Sequence, residues 1–350
     1  MKPNIRLIFL TLLVYGIPIF ILSSLPFSKN FYGTFQSPIF SFLFYGKILY
    51  SSLGIIFDLL LAYCAYLLFK KNIDIEKERV YLIYTGIKKI IAYIFVDDLQ
   101  KEFKASKEEK VSLLFYLVKI FWTPVMLNFA IGNTNALINI FSAVSKADSL
   151  QITKISVLKY YFPFIFYLIL IIDTFIFSFG YLFESAKLKN IVKSVEPTAL
   201  GWLVTIIWYP PINEYLTGRV VGWYSSDFSD FGSININIIT GLISLSLFLI
   251  YVWASIALGF KASNLTNRGI VSHGPYKYVR HPAYITKNLS WWLMAIPFIK
   301  INGFVAVLSM TIITFFYFLR ALTEERHLSQ DPEYVEYAKK VKYMFIPGLI

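Results

Sequence analysis

The 350-residue sequence has few of the residues that build disulfide frameworks and metal centres. It contains one cysteine, Cys64, and three histidines, and only 15% of its residues are charged. A single cysteine can form neither an intrachain disulfide nor a cysteine-based metal site. The fold must therefore be held together by something other than covalent or metal cross-links.

Apolar and aromatic residues are abundant instead. Hydrophobic residues make up 57% of the chain and aromatic residues 19%, and the mean hydropathy is +0.60. These values lie outside the range of soluble globular proteins. The net charge of +12 is spread between apolar runs rather than clustered, which favours membrane orientation over nucleic-acid binding. We predict an all-α, polytopic integral membrane protein with membrane lipids and no nucleic acid among its partners.

Apolar runs of roughly 20 residues, the length that crosses a bilayer, predict about eight transmembrane helices. The first run lacks a small-residue cleavage pattern and is expected to be retained as an anchor. The last two runs, 285–299 and 303–319, are shorter and predict a tight C-terminal hairpin that turns at 300–303. The other predicted spans are 7–25, 48–69, 111–131, 160–182, 198–211 and 236–260.

Lysine and arginine are distributed unevenly between the two sides of this topology. Eight spans place both termini on one side, and most of the 33 basic residues fall there. By the positive-inside rule we predict a multi-pass protein of the cell inner membrane with cytoplasmic N- and C-termini. We divide the chain into an N-terminal transmembrane region, 1–195, and a C-terminal domain, 196–350. The first region carries a cytoplasmic insert, 70–110, in which 81–95 predicts an amphipathic interfacial helix.

Three ionisable residues, Asp58, Lys119 and Asp173, lie near the middle of predicted spans. Such residues are costly in lipid and usually face a partner or a water-filled path. One alternative function is therefore a membrane transporter in which these three residues form an ion path. The interpretation we favour is an ion pair of Lys119 with Asp58 or Asp173 that fixes helix packing.

All three histidines, His273, His281 and His327, lie within 55 residues near the C-terminus. A zinc site built from them is a minor alternative, because their separations lack familiar ligand spacing. The segment also contains a Gly274–Tyr276 turn and an Arg-His-Pro sequence, 280–282, whose proline can begin a helix at its first turn. An interfacial tyrosine belt would explain the aromatics of this segment but not the Arg-His-Pro sequence.

Arg320 and Glu324 are four residues apart at the end of the last predicted span, so they share a helical face. The simplest interpretation is an exposed ion pair along the helix. The predicted hairpin, however, brings the end of the last span, and with it this helical face, close to the loop around Arg280. We therefore predict one site, on the cytoplasmic side, that combines cations, a carboxylate, an imidazole and aromatic rings.

Five short motifs follow one another in the C-terminal part of the chain: Gly274–Tyr276, Arg280–Tyr284, Glu324-Glu325, Tyr334–Tyr337 and Ile346-Pro347. Through these motifs the chain from residue 270 to residue 347 resembles the superfamily of isoprenylcysteine carboxyl methyltransferases and phospholipid methyltransferases. Related membrane folds include nicotinamide-dependent sterol reductases, but a Glu-Glu pair after Arg320 fits the methyltransferase pattern better.

The resemblance implies an S-adenosylmethionine-dependent methyltransferase whose cofactor module spans 268–350. Arg320 falls where the carboxyl-methylating members have their substrate arginine, and it is the predicted catalytic and substrate-binding residue. Arg268 stands where those enzymes can have a histidine. The cofactor contacts that the resemblance implies are Ile270, Val271, Tyr276, His281, Pro282, Tyr284 and Glu324.

The chemistry of these side chains agrees with the resemblance. Glu324 can hold the cofactor ammonium, and tyrosine faces attract a sulfonium. A bidentate guanidinium at Arg320 matches a carboxylate and repels a protonated amine. We therefore favour carboxyl O-methylation of an isoprenylcysteine-like or other lipidic acceptor. Phospholipid amine N-methylation is the alternative, and it would need a base such as His273 or His281.

Overall fold

The computed structural model describes residues 3–45, 48–95, 104–146 and 152–349, and most of them are helical. Six helical stretches among the described residues are long and apolar enough to cross a membrane: Pro3–Ser24, Ser52–Phe69, Lys107–Ser145, Lys154–Leu182, Ile234–Lys261 and Phe304–Leu328. The prediction of an all-α, polytopic membrane protein is confirmed. The sidedness of the termini and the domain boundary at 195 stay predictions.

The chain forms two compact units, residues 1–128 with 192–195 and residues 129–191 with 196–350. The first unit has an aliphatic core of Leu7, Leu10, Val14, Leu67, Val80 and Ile83. Its helices, the last of which continues into the second unit, are α1 (Pro3–Thr11), α2 (Ile17–Ser24), α3 (Pro26–Tyr32), α4 (Pro38–Tyr45), α5 (Ser52–Phe69), α6 (Arg79–Phe95) and α7 (Lys107–Ser145). A π-helical turn, Leu12–Gly16, joins α1 to α2, and a 3-10 turn, Ile75–Lys77, precedes α6.

The second unit is built around α12, which packs against α9 and α13, and around α14, which packs against α10 and α13. Its helices are α8 (Lys154–Ser156), α9 (Phe162–Leu182), α10 (Ala199–Ile206), α11 (Gly218–Val220), α12 (Ile234–Leu258), α13 (Pro282–Asn302), α14 (Phe304–Leu328) and α15 (Pro332–Lys340). Shorter helical turns are Val157–Tyr161, Asn213–Thr217, Gly259–Lys261 and Gly274–Lys277. The two strands of the described chain are only two residues long, β1 (Ser194–Val195) and β2 (Thr266–Asn267).

The C-terminal hairpin forms where the sequence predicts it. Pro282 lies in the first turn of α13, and Gly303, with φ of 57°, ends that helix and separates it from α14. A backbone with positive φ favours glycine, so the turn position follows from the sequence. Trp292 donates to Thr314 (2.8 Å), which donates to Asn288 (3.2 Å), and these bonds tie the two helices together.

The span predicted at 198–211 is wrong. The helix there, α10, has eight residues, about 12 Å of axial rise, which is far less than a bilayer core of roughly 30 Å. Thr198 caps its start by accepting from the Gly201 amide (3.2 Å). Pro210 and Pro211 have no amide hydrogen, so the helix cannot continue through them. The apolar run therefore forms a short helix that buries Gly201, Val204 and Thr205 and leaves Leu200 and Leu203 exposed.

The carboxylates inside the predicted spans bind hydroxyl groups rather than Lys119. Asp58 accepts from the Ser37 hydroxyl (2.5 Å) and the Ile39 amide (3.0 Å) in the first unit. In the second unit, Asp173 accepts from Tyr251 (2.6 Å) and Ser255 (2.5 Å). Lys119 lies 5.1 Å from the centroid of the Phe115 ring. The predicted ion pair is therefore wrong, because local hydroxyl donors satisfy both carboxylates.

The insert 70–110 contains the helix expected at 81–95, which is α6. Lys70 pairs with Glu78 (2.5 Å), the residue before the start of α6, and Lys89 in the middle of α6 pairs with Glu109 of α7 (2.7 Å). Residues 96–103 of the insert lie outside the described residues.

Candidate functional site

A small polar cavity in the second unit lies where α10, α13 and α14 meet the loop that follows α12. Its volume is about 30 Å³, and its lining combines two acids, one arginine, one histidine and several hydroxyl and amide groups. The lining residues are Glu196, Thr205, Ser263, Asn264, Leu265, Thr266, Tyr284, Arg320, Thr323, Glu324, His327 and Leu328. We call this space the polar cavity.

Arg320 enters the polar cavity from α14 without a carboxylate partner in the described part of the chain. One of its terminal nitrogens donates to the side-chain oxygen of Asn264, a neutral amide. Its guanidinium carbon lies 5.2 Å from the ring centroid of Tyr284, and 5.9 Å from those of Tyr209 and Tyr317. Aromatic faces attract a cation without neutralising it. The guanidinium is therefore held in place by uncharged groups.

Glu324 lies one helical turn after Arg320 and accepts a hydrogen bond from the Tyr284 hydroxyl (2.7 Å). The exposed Arg320–Glu324 ion pair of the simplest interpretation does not form among the described residues. Tyr284 separates the two charges, because its hydroxyl binds the carboxylate while its ring faces the guanidinium. The cavity thus presents an anion and a cation at different points.

Glu196 places a second carboxylate at the polar cavity, and its residue is only 2% exposed. One oxygen accepts from Arg326 (2.7 Å) and from the hydroxyl of Thr198 (2.5 Å). The other oxygen is buried and receives no hydrogen bond within the part of the chain that the structure describes. A buried carboxylate oxygen without a donor is costly unless a ligand or water supplies one.

A second set of charges lies beside the cavity and is fully paired. Arg280 donates to both oxygens of Glu325 (2.6 and 3.1 Å) and to the carbonyls of Val341 (2.8 Å) and Lys342 (2.7 Å). His281 lies 3.1 Å from the same carboxylate, and its amide donates to the Met344 carbonyl (2.8 Å). We call Arg280, His281 and Glu325, with the carbonyls they bind, the tail clamp. Consecutive helical residues point about 100° apart, so Glu324 faces the cavity while Glu325 faces the clamp.

The structure brings three of the sequence-predicted site residues together at the polar cavity: Tyr284, Arg320 and Glu324. The other five lie outside its lining. Ile270 and Tyr276 pack against a core of Tyr334, Tyr337 and Val341. Val271, the residue after Ile270, is also buried. His281 belongs to the tail clamp, and Pro282 begins α13.

Tyr276 lies close enough to Glu324 for the two groups to interact electrostatically. Burial, and secondarily the negative charge of Glu324, raises the pKa of Tyr276 well above its usual value. The phenol therefore stays protonated at physiological pH and is a potential hydrogen-bond donor. Its backbone carbonyl accepts from the Tyr337 hydroxyl (2.8 Å), which ties this turn to the tail helix.

Sequence reasoning missed Glu196, Asn264, Tyr209 and Tyr317, which complete the surroundings of Arg320 and Glu324. None of them stands in a recognisable motif, and only the fold brings them to the cavity. It also missed Lys287, whose ammonium lies 4.2 Å from the Tyr251 ring centroid and 3.2 Å from its hydroxyl. Through Tyr251 this lysine reaches Asp173, which explains how an aspartate is accommodated within an apolar span.

Arg268 and the three histidines were the other candidate site residues, and their contacts do not form a metal site. Arg268 is buried and donates to the carbonyls of Gly180 (2.6 Å) and Asn190 (3.4 Å). His273 is exposed, whereas His281 and His327 are buried in the clamp and at the cavity. Among the described residues no group of three or more histidine, cysteine, aspartate or glutamate side chains could hold a metal ion.

The donor set of the polar cavity fits the charged groups of S-adenosylmethionine. Glu324 and the unbonded oxygen of Glu196 offer anionic acceptors for an ammonium or for ribose hydroxyls. Tyrosine rings offer faces for a sulfonium.

Fold and site together define a polytopic membrane protein with a charged cavity at the end of its C-terminal helical hairpin. Residues 236–331, about a quarter of the chain, match the family model of phospholipid methyltransferases. The resemblance to the superfamily of membrane methyltransferases is thus confirmed over the segment that contains α12, α13 and α14. No curated protein and no solved structure matches the chain.

Proposed function

We propose that this protein uses S-adenosylmethionine to methylate the carboxylate of a lipidic acceptor, of which an isoprenylcysteine is one type. The observation that carries the proposal is Arg320. It is a fixed guanidinium bound to a neutral amide and surrounded by tyrosine rings, with no carboxylate partner among the described residues. An anionic acceptor supplies the missing counter-charge, and a carboxylate matches the planar fork of the guanidinium.

In this proposal Glu324 holds the cofactor ammonium while Tyr284 orients that carboxylate. Glu196 adds a second acceptor to the cavity lining. The surrounding loop is shaped by Ile270, Val271, Tyr276, His281 and Pro282. S-adenosylmethionine, when bound, supplies an activated methyl group on a sulfonium. Arg320 aligns the acceptor oxygen for in-line attack, and the hydrophobic hairpin limits access of water.

A carboxylate acceptor needs no general base, because it is already ionised near neutral pH. His327 lies in the cavity lining, whereas the two histidines that the N-methylation alternative would use as bases do not. His281 is engaged with Glu325 in the tail clamp, and His273 is exposed outside the cavity lining. Neither lies where it would accept a proton from an acceptor beside Arg320.

Amine N-methylation of a phospholipid is the second candidate, and the family match favours it because the matched model describes phospholipid methyltransferases. A transporter that uses Asp58, Lys119 and Asp173 finds less support, since hydroxyl groups satisfy both carboxylates. We further propose that the cavity faces the cytoplasm and that 196–350 is the methyltransferase domain, with the cofactor module at 268–350.

Matched acceptors test the proposal directly. Purified protein in nanodiscs is given methyl-labelled S-adenosylmethionine and one of three lipids: a prenylated cysteine carboxylate, the same molecule as its carboxamide, or phosphatidylethanolamine. We expect labelling of the carboxylate alone. Labelling of phosphatidylethanolamine without labelling of the carboxylate would establish N-methylation instead. Binding of the cofactor, measured in parallel with transporter-type solutes, separates the enzyme from the transporter.

A further inference from the structure

A second cation of the C-terminal hairpin, Lys287, lies three residues after Tyr284 on α13. It does not line the polar cavity, and the residue is half-buried. Its ammonium lies 4.2 Å from the ring centroid of Tyr251 and 5.7 Å from that of Trp291. Residues three apart on a helix are neighbours on its surface, so Lys287 lies one turn farther along α13 than the cavity residue Tyr284.

The surroundings of Lys287 repeat an arrangement of the polar cavity. The Tyr251 hydroxyl donates to Asp173 (2.6 Å), and its oxygen accepts from the Lys287 ammonium (3.2 Å). A tyrosine therefore stands between a carboxylate and a cation, as Tyr284 does in the polar cavity. The second unit thus holds two cations that tyrosines keep apart from a carboxylate.

Compensation of Asp173 alone does not account for the contacts of Lys287. Each oxygen of Asp173 already accepts a hydroxyl hydrogen bond, from Tyr251 (2.6 Å) and from Ser255 (2.5 Å). The described residues give the lysine ammonium one hydrogen bond, to Tyr251, so two of its three N–H groups remain for other acceptors. An ammonium among apolar helices is costly without partners, so this lysine is suited to bind a polar ligand group.

Lys287 and Arg320 approach each other through shared aromatic neighbours. The ring centroid of Tyr317 lies 5.9 Å from the Arg320 guanidinium carbon and 5.3 Å from the centroid of Trp291. Trp291 is in turn a neighbour of the Lys287 ammonium. The two cations are close enough for their positive charges to repel each other. An anion that binds near both relieves this repulsion and can accept hydrogen bonds from both side chains.

We propose that Lys287 is a second acceptor-binding residue, which together with Arg320 selects an acceptor whose headgroup is a carboxylate. This inference rests on the proposed function, since it takes the acceptor of methyl transfer as the anion that the two cations share. It adds that a protonated amine headgroup is repelled by two charges rather than by one. Specificity for the carboxylate is then divided between α13 and α14.

Binding of matched probes tests the role of Lys287 without turnover. The full chain in nanodiscs, without S-adenosylmethionine, is titrated with N-acetyl-S-farnesylcysteine or with the carboxamide of the same molecule, and binding to empty nanodiscs is subtracted. The ratio of the two dissociation constants measures the preference for the charged headgroup. A residue that only supports the fold would weaken binding of both probes alike and leave this ratio unchanged.

The test variant is Lys287→Gln/Asp173→Asn, and its matched control is Asp173→Asn. Both lack the carboxylate of Asp173, so they differ only in the lysine, and neither leaves an aspartate without its nearby cation. Lys287→Arg tests rescue by a retained positive charge. Lys300→Gln removes an exposed lysine from the same helix.

We expect the preference for the carboxylate to fall at least tenfold in the double variant and to change less than twofold in Asp173→Asn and Lys300→Gln. Lys287→Arg should retain most of the preference. If either variant at Asp173 does not fold, Lys287→Met must show the same tenfold fall when it is compared with Lys287→Arg.

A double variant with the wild-type preference, or an equal loss in Asp173→Asn, would overturn the role of Lys287. The proposed function would then stand if Arg320→Lys still loses the preference. A wild-type protein that binds both probes equally well would instead overturn the proposed recognition of a carboxylate, and this inference with it.

Discussion

Two consecutive glutamates of α14 have opposite electrostatic surroundings. Glu325 receives a bidentate pair from Arg280 at 2.6 and 3.1 Å, with both side chains mostly buried. Among the described residues, Glu324 accepts a hydrogen bond only from the Tyr284 hydroxyl, although Arg320 lies one turn away. Charges that balance each other hold the chain in place. The charges of Arg320 and Glu324 are kept apart by Tyr284, so each is available to a ligand group of opposite charge. S-adenosylmethionine and a lipid carboxylate would together supply such groups.

The largest expected effect comes from breaking the balanced set. Glu325→Gln removes the charge that compensates Arg280, and losing one member of a buried ion pair costs roughly 3 kcal/mol of folding free energy. The melting temperature in detergent should fall, and the tail after α15 should become sensitive to protease. Glu336→Gln is the control, because its pair with Lys339 is exposed and should leave melting unchanged. Equal melting of both variants would refute a stabilising clamp.

A change at the unbalanced cation should alter catalysis without altering stability. Arg320→Lys keeps the positive charge but removes the planar fork. We expect near-wild-type binding of S-adenosylmethionine and a fall of at least tenfold in methyl transfer, about 1.4 kcal/mol in the barrier. Arg219→Lys, at an exposed arginine of the same unit, controls for the substitution. Full turnover by Arg320→Lys would remove this residue from acceptor recognition.

A change at Glu324, the carboxylate without a cationic partner, should weaken binding of the cofactor instead. Glu324→Gln keeps a hydrogen-bond acceptor for Tyr284 but removes the charge, so we expect binding of S-adenosylmethionine to weaken about tenfold, or 1.4 kcal/mol. Glu333→Gln on the exposed side of α15 is the control in calorimetry. Unchanged cofactor affinity in Glu324→Gln, with melting intact, would mean that the ammonium lies elsewhere.

Glu196→Gln should produce a smaller loss of the same kind. Its buried oxygen offers one hydrogen bond to a ligand, and one such bond contributes about 1 kcal/mol, a factor of roughly five in affinity. Because Arg326 and Thr198 also bind this side chain, melting of the variant must be compared first. A cofactor affinity equal to that of the wild type would assign Glu196 to the scaffold alone.

The smallest expected effect is an absence of pH dependence. A carboxylate acceptor is already ionised above about pH 6, since carboxyl groups titrate near pH 4. Single-turnover methyl transfer should therefore be flat between about pH 6.5 and pH 8.5. An amine acceptor would give a rate that rises through this range as the amine loses its proton, which is the behaviour expected of N-methylation.

Features set by local sequence were predictable. Glycine at 303 fixed the hairpin turn, Pro282 began α13, and Asp331 caps α15 by accepting from the Glu333 amide (3.0 Å). The apolar run at 198–211 was wrongly predicted to be a transmembrane span, because its hydropathy is high but two prolines end the helix within it.

The partners of the site charges could not be predicted, because they depend on tertiary packing. Spacing along α14 suggested that Arg320 and Glu324 would pair, but Tyr284 from α13 and Asn264 from the preceding loop bind them instead. The same limit applies to Asp173, whose hydroxyl partners come from α12. Glu196 gave no signal in the sequence, since an isolated acid between apolar runs has no motif.

The chemical form of the transferred methyl group tests the central claim most directly. Membranes that contain the wild-type protein or Arg320→Lys are incubated with methyl-labelled S-adenosylmethionine, and the extracted lipids are treated with mild base. A methyl ester hydrolyses to volatile methanol, whereas an N-methyl group is stable. We predict base-released labelled methanol from the wild-type sample, reduced at least tenfold in Arg320→Lys. Label that remains non-volatile after base treatment would contradict carboxyl methylation.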